Sequence, residues 1–207
     1  MKTLIVTAHP EPDSLTNQIA RRLASMLDPS PVEIVDLAAE GLDPRFTVAD
    51  RRTYLTGGHV TPDVIAEQRR VDGADHLVLV FPVYWWSMPA QLKGWIDRVF
   101  VNGWAFTIDP EHGIRRNLGR LTIHLIPVAG DDAGVYERHG YEQALRTQIE
   151  HGIIDYCGSR RGATAFVYES EREDAAARER VIDEAVSAVR RAIDAQREAL
   201  VSENGGR

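Results

Sequence analysis

Only one cysteine, Cys157, occurs among the 207 residues, so no intrachain disulfide can form and a reducing compartment, the cytoplasm, is the expected home. Cys157 itself reads as a buried packing residue. No apolar run approaches the roughly 18 residues that a membrane span needs. Met1-Lys2 leads straight into Thr3-Leu4-Ile5-Val6-Thr7, leaving no room for a signal peptide, so a protein without an integral membrane segment is expected. Excess positive charge is missing as well: the formal net charge is −7, which excludes the electrostatic footprint of a nucleic-acid binder and makes an anionic membrane surface a poor partner. Pairs such as Arg21-Arg22 and Arg69-Arg70 read as solvated helix faces.

Several motifs are absent too. There is no GxGxxG and no GxxxxGK[ST], so dinucleotide-fold and P-loop readings lose their main support. There is no GxSxG elbow for a serine hydrolase. His59, His76, His112, His124 and His151 show no metal-ligand spacing such as HExxH, and one thiol cannot complete a thiolate site; no metal is assigned.

What is present is an alternation of short apolar strands with helical periodicity. Leu4 to Ala8 is a β-branched run, and Ile19, Leu23 and Leu27 repeat at helical spacing from about Ser14. Val32 to Leu37 reads as a second strand, Leu77 to Phe81 as a central strand buried on both faces, Leu121 to Val128 as a fourth and Ala163 to Tyr168 as a fifth. Helices are expected from Thr61 to about Val71, Ala90 to Phe100, Glu142 to Tyr156 and Ala175 to Leu200. Ala38 to Pro62 reads as a long surface excursion. The pattern predicts one domain over residues 1–201, with 202–207 a frayed tail. Its sheet is doubly wound, parallel and five-stranded, in the flavodoxin-like order 2-1-3-4-5.

In that order the loops after strands one, three and four share one edge, where ligands of open α/β sheets bind. The first is His9-Pro10-Glu11-Pro12-Asp13-Ser14-Leu15-Thr16-Asn17. A helix N-terminus offers free N–H groups and a positive dipole end, and Ser14, Thr16, Asn17 and His9 add donors, a combination that can hold a phosphate; equally, Asp13 or Ser14 simply caps the helix. The second is Pro82-Val83-Tyr84-Trp85-Trp86-Ser87-Met88-Pro89, whose flat rings suit a planar ligand such as a flavin or, alternatively, cap the core or a dimer contact. The third runs from Ala129 to Tyr141 and brings Tyr136 and His139 to the same edge.

Ala8-His9-Pro10 with Ser14-Leu15-Thr16, the long run from Phe81 to Phe100, His59 to Gln68 and Asp155 to Gly158 together resemble the NAD(P)H:quinone oxidoreductase family of flavodoxin-like flavoproteins. The resemblance implies a homodimer binding one flavin per subunit, FAD or FMN, at sites formed across the interface. It also implies ping-pong hydride transfer from NADH or NADPH to the flavin and then to a quinone-like acceptor. Carried over by position, His9, Ser14, Leu15 and Thr16 hold the flavin phosphate or ribityl chain, and Pro82, Val83, Tyr84, Trp85 and Trp86 the ring. Gly130 falls within Val128-Ala129-Gly130-Asp131, where the family often has Thr-Thr-Gly-Gly. Tyr136 matches the family's active-site tyrosine. His139, followed by Gly140, matches its histidine and glycine across a loop about three residues shorter. These two residues are expected to stabilise charge on the reduced flavin or to protonate the quinone oxygen. Asp131 adds a charge, and Leu15 and Thr16 replace an aromatic residue and Asn. Two other readings stand beside this one: a redox-sensing regulatory subunit of a potassium efflux system, and a flavodoxin-like electron carrier.

Overall fold

A computed structural model describes residues 1–58 and 60–205; His59 and the end of the expected tail lie outside the described residues. In chain order the elements are β1 (Thr3–Thr7), α1 (Leu15–Met26), β2 (Val32–Asp36), α2 (Val48–Thr56), α3 (Pro62–Asp72), β3 (His76–Pro82), α4 (Ala90–Val99), β4 (Phe106–Asp109), β5 (Gly113–Arg116), β6 (Thr122–Val128), α5 (Ala133–His139), α6 (Tyr141–Arg146), a π-helical segment Thr147–Asp155, β7 (Arg160–Thr164) and α7 (Ala175–Gly205).

The continuous apolar runs become the centre of the sheet. Every residue of β3 and of β6 is buried, because helices cover both faces of a parallel sheet. The strand order is β2-β1-β3-β6-β7, all parallel, which is the expected order once the separate antiparallel hairpin β4–β5 is left out of the count. On one face Leu4, Val6, Leu77, Leu79, Phe81 and Leu125 pack with Leu92, Trp95 and Ile149. On the other, Ile5, Val78, Val80 and Ile126 pack with α1 through Ile19 and Leu23, and with α7 through Ile182, Val186 and Val189.

The structure departs from the sequence reading in several places. Nine residues of the expected excursion from Ala38 to Pro62, Val48–Thr56, fold as α2. Its sequence has little amphipathic pattern, and it forms through a capping box in which Thr47 and Asp50 bond reciprocally. It is then fastened by tertiary contacts: buried Arg98 on α4 donates to Asp50 Oδ1 at 3.2 Å, to the Asp43 carbonyl at 2.9 Å and to Asp63 Oδ2 at 2.7 Å. Gly94 lets the 42–46 segment lie directly on α4, since a Cβ there would sit 2.2 Å from the Pro44 carbonyl oxygen. The loop after β6 carries the short helix α5, capped by Asp132, and the expected helix from Glu142 widens into the π-helical segment.

The last sheet strand also begins earlier than Ala163. Thr122 and Ile123 pair with Arg160 and Arg161 before the ladder breaks, where His124 Nδ1 accepts the Ala163 N–H at 3.0 Å and so removes that donor from the ladder and shifts the register. Pairing then resumes through Ala165 N–H to Leu125 O and Val167 N–H to Pro127 O, both 2.9 Å. α7 continues past the Leu200 at which the sequence reading ends it. Among the described residues no helix is long and apolar enough to cross a membrane.

Candidate functional site

Three segments meet at the carboxyl edge of β1, β3 and β6. The first is the start of α1. Ser14 is its N-cap, with Oγ accepting the Asn17 N–H at 3.3 Å, and the Ser14 carbonyl takes the Gln18 N–H. The N–H groups of Leu15 and Thr16 are left without protein partners among the described residues, as the geometry of a helix start requires. Asn17 is buried and spans Glu11 O and Asp36 Oδ2 at 3.3 and 3.1 Å, which fixes the loop. His9 Nδ1 accepts the Glu11 N–H at 3.1 Å, so the ring proton sits on Nε2.

The second is the aromatic turn. Tyr84 and Ser87 exchange both backbone hydrogen bonds at 3.1 Å, closing a two-residue reversal with Trp85 at φ 48° and Trp86 at φ 56°. Positive φ at both central positions is the type I′ geometry that normally selects Asn-Gly. Two tryptophans there cost about 1–2 kcal/mol each. The turn presents its rings outward: Trp85 is 87% exposed, while Trp86 stacks on Tyr141 at 4.2 Å. Neither tryptophan's backbone N–H is bonded within the protein among the described residues.

The third is the segment after β6, bound to the chain after β7. Ala129 N–H donates to Val167 O, Ser170 N–H to Ala129 O and Glu169 N–H to Asp131 O, at 2.8 to 3.1 Å. Glu169 has φ 52° and is the remaining non-glycine residue described with positive φ. All three such residues therefore bracket one place, and strain of this kind persists where the surroundings over-determine it, commonly at ligand sites.

Two adjoining cavities result. One, of about 360 Å³, is lined by His9, Glu11, Ser14, Leu15, Thr16, Pro82, Val83, Tyr84, Val128, Gly130, Ser170 and Glu171. The other, of about 410 Å³, is lined by Val83, Trp85, Trp86, Gly130, Asp131, Tyr136 and Glu171. All the residues singled out for the flavin, and Tyr136, are brought together here. His139 is not: it is exposed at the end of α5 and stacks on the Tyr141 ring at 5.1 Å. Tyr136 is 3% exposed, packed edge-on by Tyr141, Phe166 and Tyr168, and its hydroxyl makes no hydrogen bond to the described residues. Burial, with the Asp131 charge adding to it, pushes its pKa up to about 12, so it is a neutral donor across the physiological range.

Sequence reasoning missed Tyr141, Ser170 and Glu171. No local signal marks the last two, which reach the site through the backbone turn at Glu169; the Trp86 stack on Tyr141 is equally a matter of tertiary placement. A larger cavity, about 580 Å³, lies elsewhere, among Phe46, Arg51, Tyr54, Leu55 and Asp97.

Comparison with known proteins agrees with this geometry. The sequence pattern of a family described as having a flavodoxin-like fold matches residues 1–193. A mouse ribosyldihydronicotinamide dehydrogenase [quinone] is 32% identical, with 76% of this chain and 77% of that protein covered. Among solved structures, a putative quinone reductase from Klebsiella pneumoniae superposes with a TM-score of 0.79 at 26% identity, covering 94% of this chain and 84% of that one. An NAD(P)H:quinone oxidoreductase from Methanothermobacter marburgensis superposes with a TM-score of 0.83 at 22% identity, covering 92% and 96%.

Proposed function

Because the chain belongs to the flavodoxin-like fold family, beside the quinone dehydrogenases it matches, we propose that it is a cytoplasmic, flavin-dependent NAD(P)H:quinone oxidoreductase. The observation that carries this is the convergence of an uncommitted helix start with a strained, outward-facing tryptophan turn on two adjoining cavities. The relatives named as quinone dehydrogenases favour it over the regulatory-subunit and electron-carrier readings.

The residues fit a flavin. Leu15 and Thr16 N–H, the Thr16 hydroxyl and the His9 ring would hold its phosphate; the free N–H groups of Trp85 and Trp86 suit the polar edge of the ring, and the tryptophans its face. A bound flavin would supply the two-electron chemistry, accepting a hydride from the dihydronicotinamide and returning it to the quinone. The protein orients donor and acceptor in turn against the same open face. Reduction of a quinone to a hydroquinone needs a hydride and a proton, and Tyr136, neutral and unpartnered on the cavity wall, is placed to give that proton to the quinone oxygen, with solvent restoring it.

A second copy of the chain would complete the site. Phe46, Tyr54, Leu55, Ile108, Ile114 and Tyr156 are large apolar side chains left exposed just before and on α2, on the hairpin and at the end of the π-helical segment. Apolar patches of this kind mark protein contacts, and sedimentation of the purified protein tests for the homodimer.

The reading is tested by the visible spectrum of the purified protein with added flavin, followed anaerobically through addition of NADH or NADPH and then a neutral quinone. Flavin bands that bleach with the nucleotide and return with the quinone support it. Failure to bind flavin overturns it; binding without reduction moves the carrier or sensor reading ahead.

A further inference from the structure

The walls of the two adjoining cavities carry charge of one sign. Glu171 lines both, Glu11 the first and Asp131 the second, whereas among the described residues no Lys or Arg lines either and the His9 ring is the one basic side chain. Asp131 and Glu171 make no ion pair among the described residues. The arginines nearest in sequence pair with neither carboxylate: Arg172 is engaged with Glu169 at 3.2 Å, and Arg138, in the last turn of α5, makes no ion pair to Asp131 or Glu171 among the described residues.

The backbone that carries these two carboxylates is held in place. The hydrogen bond from Glu169 N–H to Asp131 O, at 3.1 Å, ties the segment after β6 to the segment after β7, and the positive φ at Glu169 turns the chain so that Glu171 reaches the wall that Asp131 shares. Tyr136, nine-tenths buried with an unpartnered hydroxyl, stands in the same wall. The Asp131 charge is felt at that phenol, where it adds to the effect of burial. A ring bound in the cavity that Trp86 and Tyr136 line would therefore sit in a negative field set by two carboxylates that no ion pair compensates among the described residues.

We propose that Asp131 and Glu171 make the acceptor site charge-selective, so that planar acceptors that are neutral or carry a cationic substituent are taken in preference to those bearing a carboxylate or sulfonate. This rests on the quinone-reductase reading. A unit charge brought within several ångströms of a carboxylate in a partly desolvated cavity changes association by about tenfold or more, and the effect weakens as salt shortens the screening length.

The test uses the flavin-loaded protein and three quinones sharing one ring: unsubstituted, trimethylammonium-substituted and sulfonated. Reduced protein is mixed with each in a stopped-flow instrument, and flavin reoxidation gives a second-order rate constant at about 10 mM and about 500 mM salt, spanning long to short screening lengths. The readout is the cation-to-anion ratio, compared between the native protein, the single variants Asp131→Asn and Glu171→Gln, and the double variant. Intrinsic reactivity differences among the quinones cancel in that comparison. The expected result is a ratio that falls about tenfold or more in the double variant and falls with salt in the native protein. A ratio unchanged in both comparisons, with the neutral quinone still reduced, overturns the charge-selection proposal and leaves the oxidoreductase reading standing. Should the double variant fail to fold, the ratio in the two single variants decides. Failure of the native protein to reduce even the neutral quinone overturns both.

Discussion

Lowering the pH from 7.5 to 5 should cost this protein about 4 kcal/mol of stability through one pair of residues, His76 and His124. Both are fully buried, at the opposite end of the sheet from the cavities, and His76 Nδ1 lies 3.1 Å from His124 Nε2. Since His124 Nδ1 accepts the Ala163 N–H, its proton is on Nε2 and is donated to His76 Nδ1. His76 then carries its own proton on Nε2, which has no partner. Neither ring has a free acceptor nitrogen, so protonating either one breaks a hydrogen bond and places a charge in the core. Burial accordingly lowers His76 from 6.5 to about 4, and burial with the neighbouring His76 lowers His124 to about 3.

The sign follows from proton counting. Below the ordinary value of 6.5 the unfolded chain binds two protons that the folded chain refuses, so stability is full above pH 6.5 and is lost as the pH falls toward the folded values. At pH 5 the loss is about 2 kcal/mol per histidine. Carboxylates stay ionised in both states over most of this window, which isolates the histidines. Urea unfolding midpoints at half-unit steps of pH, repeated on the double variant His76→Leu/His124→Leu, measure it. A native midpoint that does not move between pH 7.5 and 5, or a double variant with the same slope as the native protein, would refute the argument.

Other outcomes follow from close packing and strain. Gly162→Ala would put a Cβ 2.3 Å from His124 Nδ1; we expect a loss of about 1–3 kcal/mol in thermal or urea unfolding as β6 and β7 separate. Gly94→Ala meets the Pro44 backbone and should destabilise by a similar amount, with faster proteolysis of the 38–47 segment. Arg98→Ala leaves Asp50, which is 5% exposed, without its cation. Burial works to raise the Asp50 carboxyl and hydrogen bonds from Thr47 and Arg98 overcome it, so a loss of about 3–5 kcal/mol is expected by the same measurement. Trp85→Gly should raise the melting temperature of the flavin-free protein, since it relieves about 1–2 kcal/mol of backbone strain and gives up little burial, while weakening flavin binding in a fluorescence titration. Tyr136→Phe should slow reoxidation of the reduced flavin by quinone about a hundredfold and leave flavin binding intact.

The strands, most of the helices and their order were legible because burial on both faces writes itself as an apolar run, unbroken in Leu77 to Phe81 and interrupted by Thr122 and His124 in Leu121 to Val128, and burial on one face writes itself at helical spacing, as in Ile19, Leu23 and Leu27. The doubly wound order then put the three loops on one edge, and with it nearly the whole cavity wall, from His9 and Thr16 to Trp86 and Tyr136. Other features had no local signature. α2 is held by a buried arginine from a helix distant in sequence. The shift in the last strand depends on a histidine ring on its neighbour competing for a backbone N–H. Glu171 follows a turn through positive φ at Glu169, and His139 lies outside the cavities at the end of α5, stacked on Tyr141. Periodicity reports how much of each segment is buried; it carries nothing about which distant group satisfies a particular hydrogen bond or which side of a turn a charge ends on, and those were decided by packing in three dimensions.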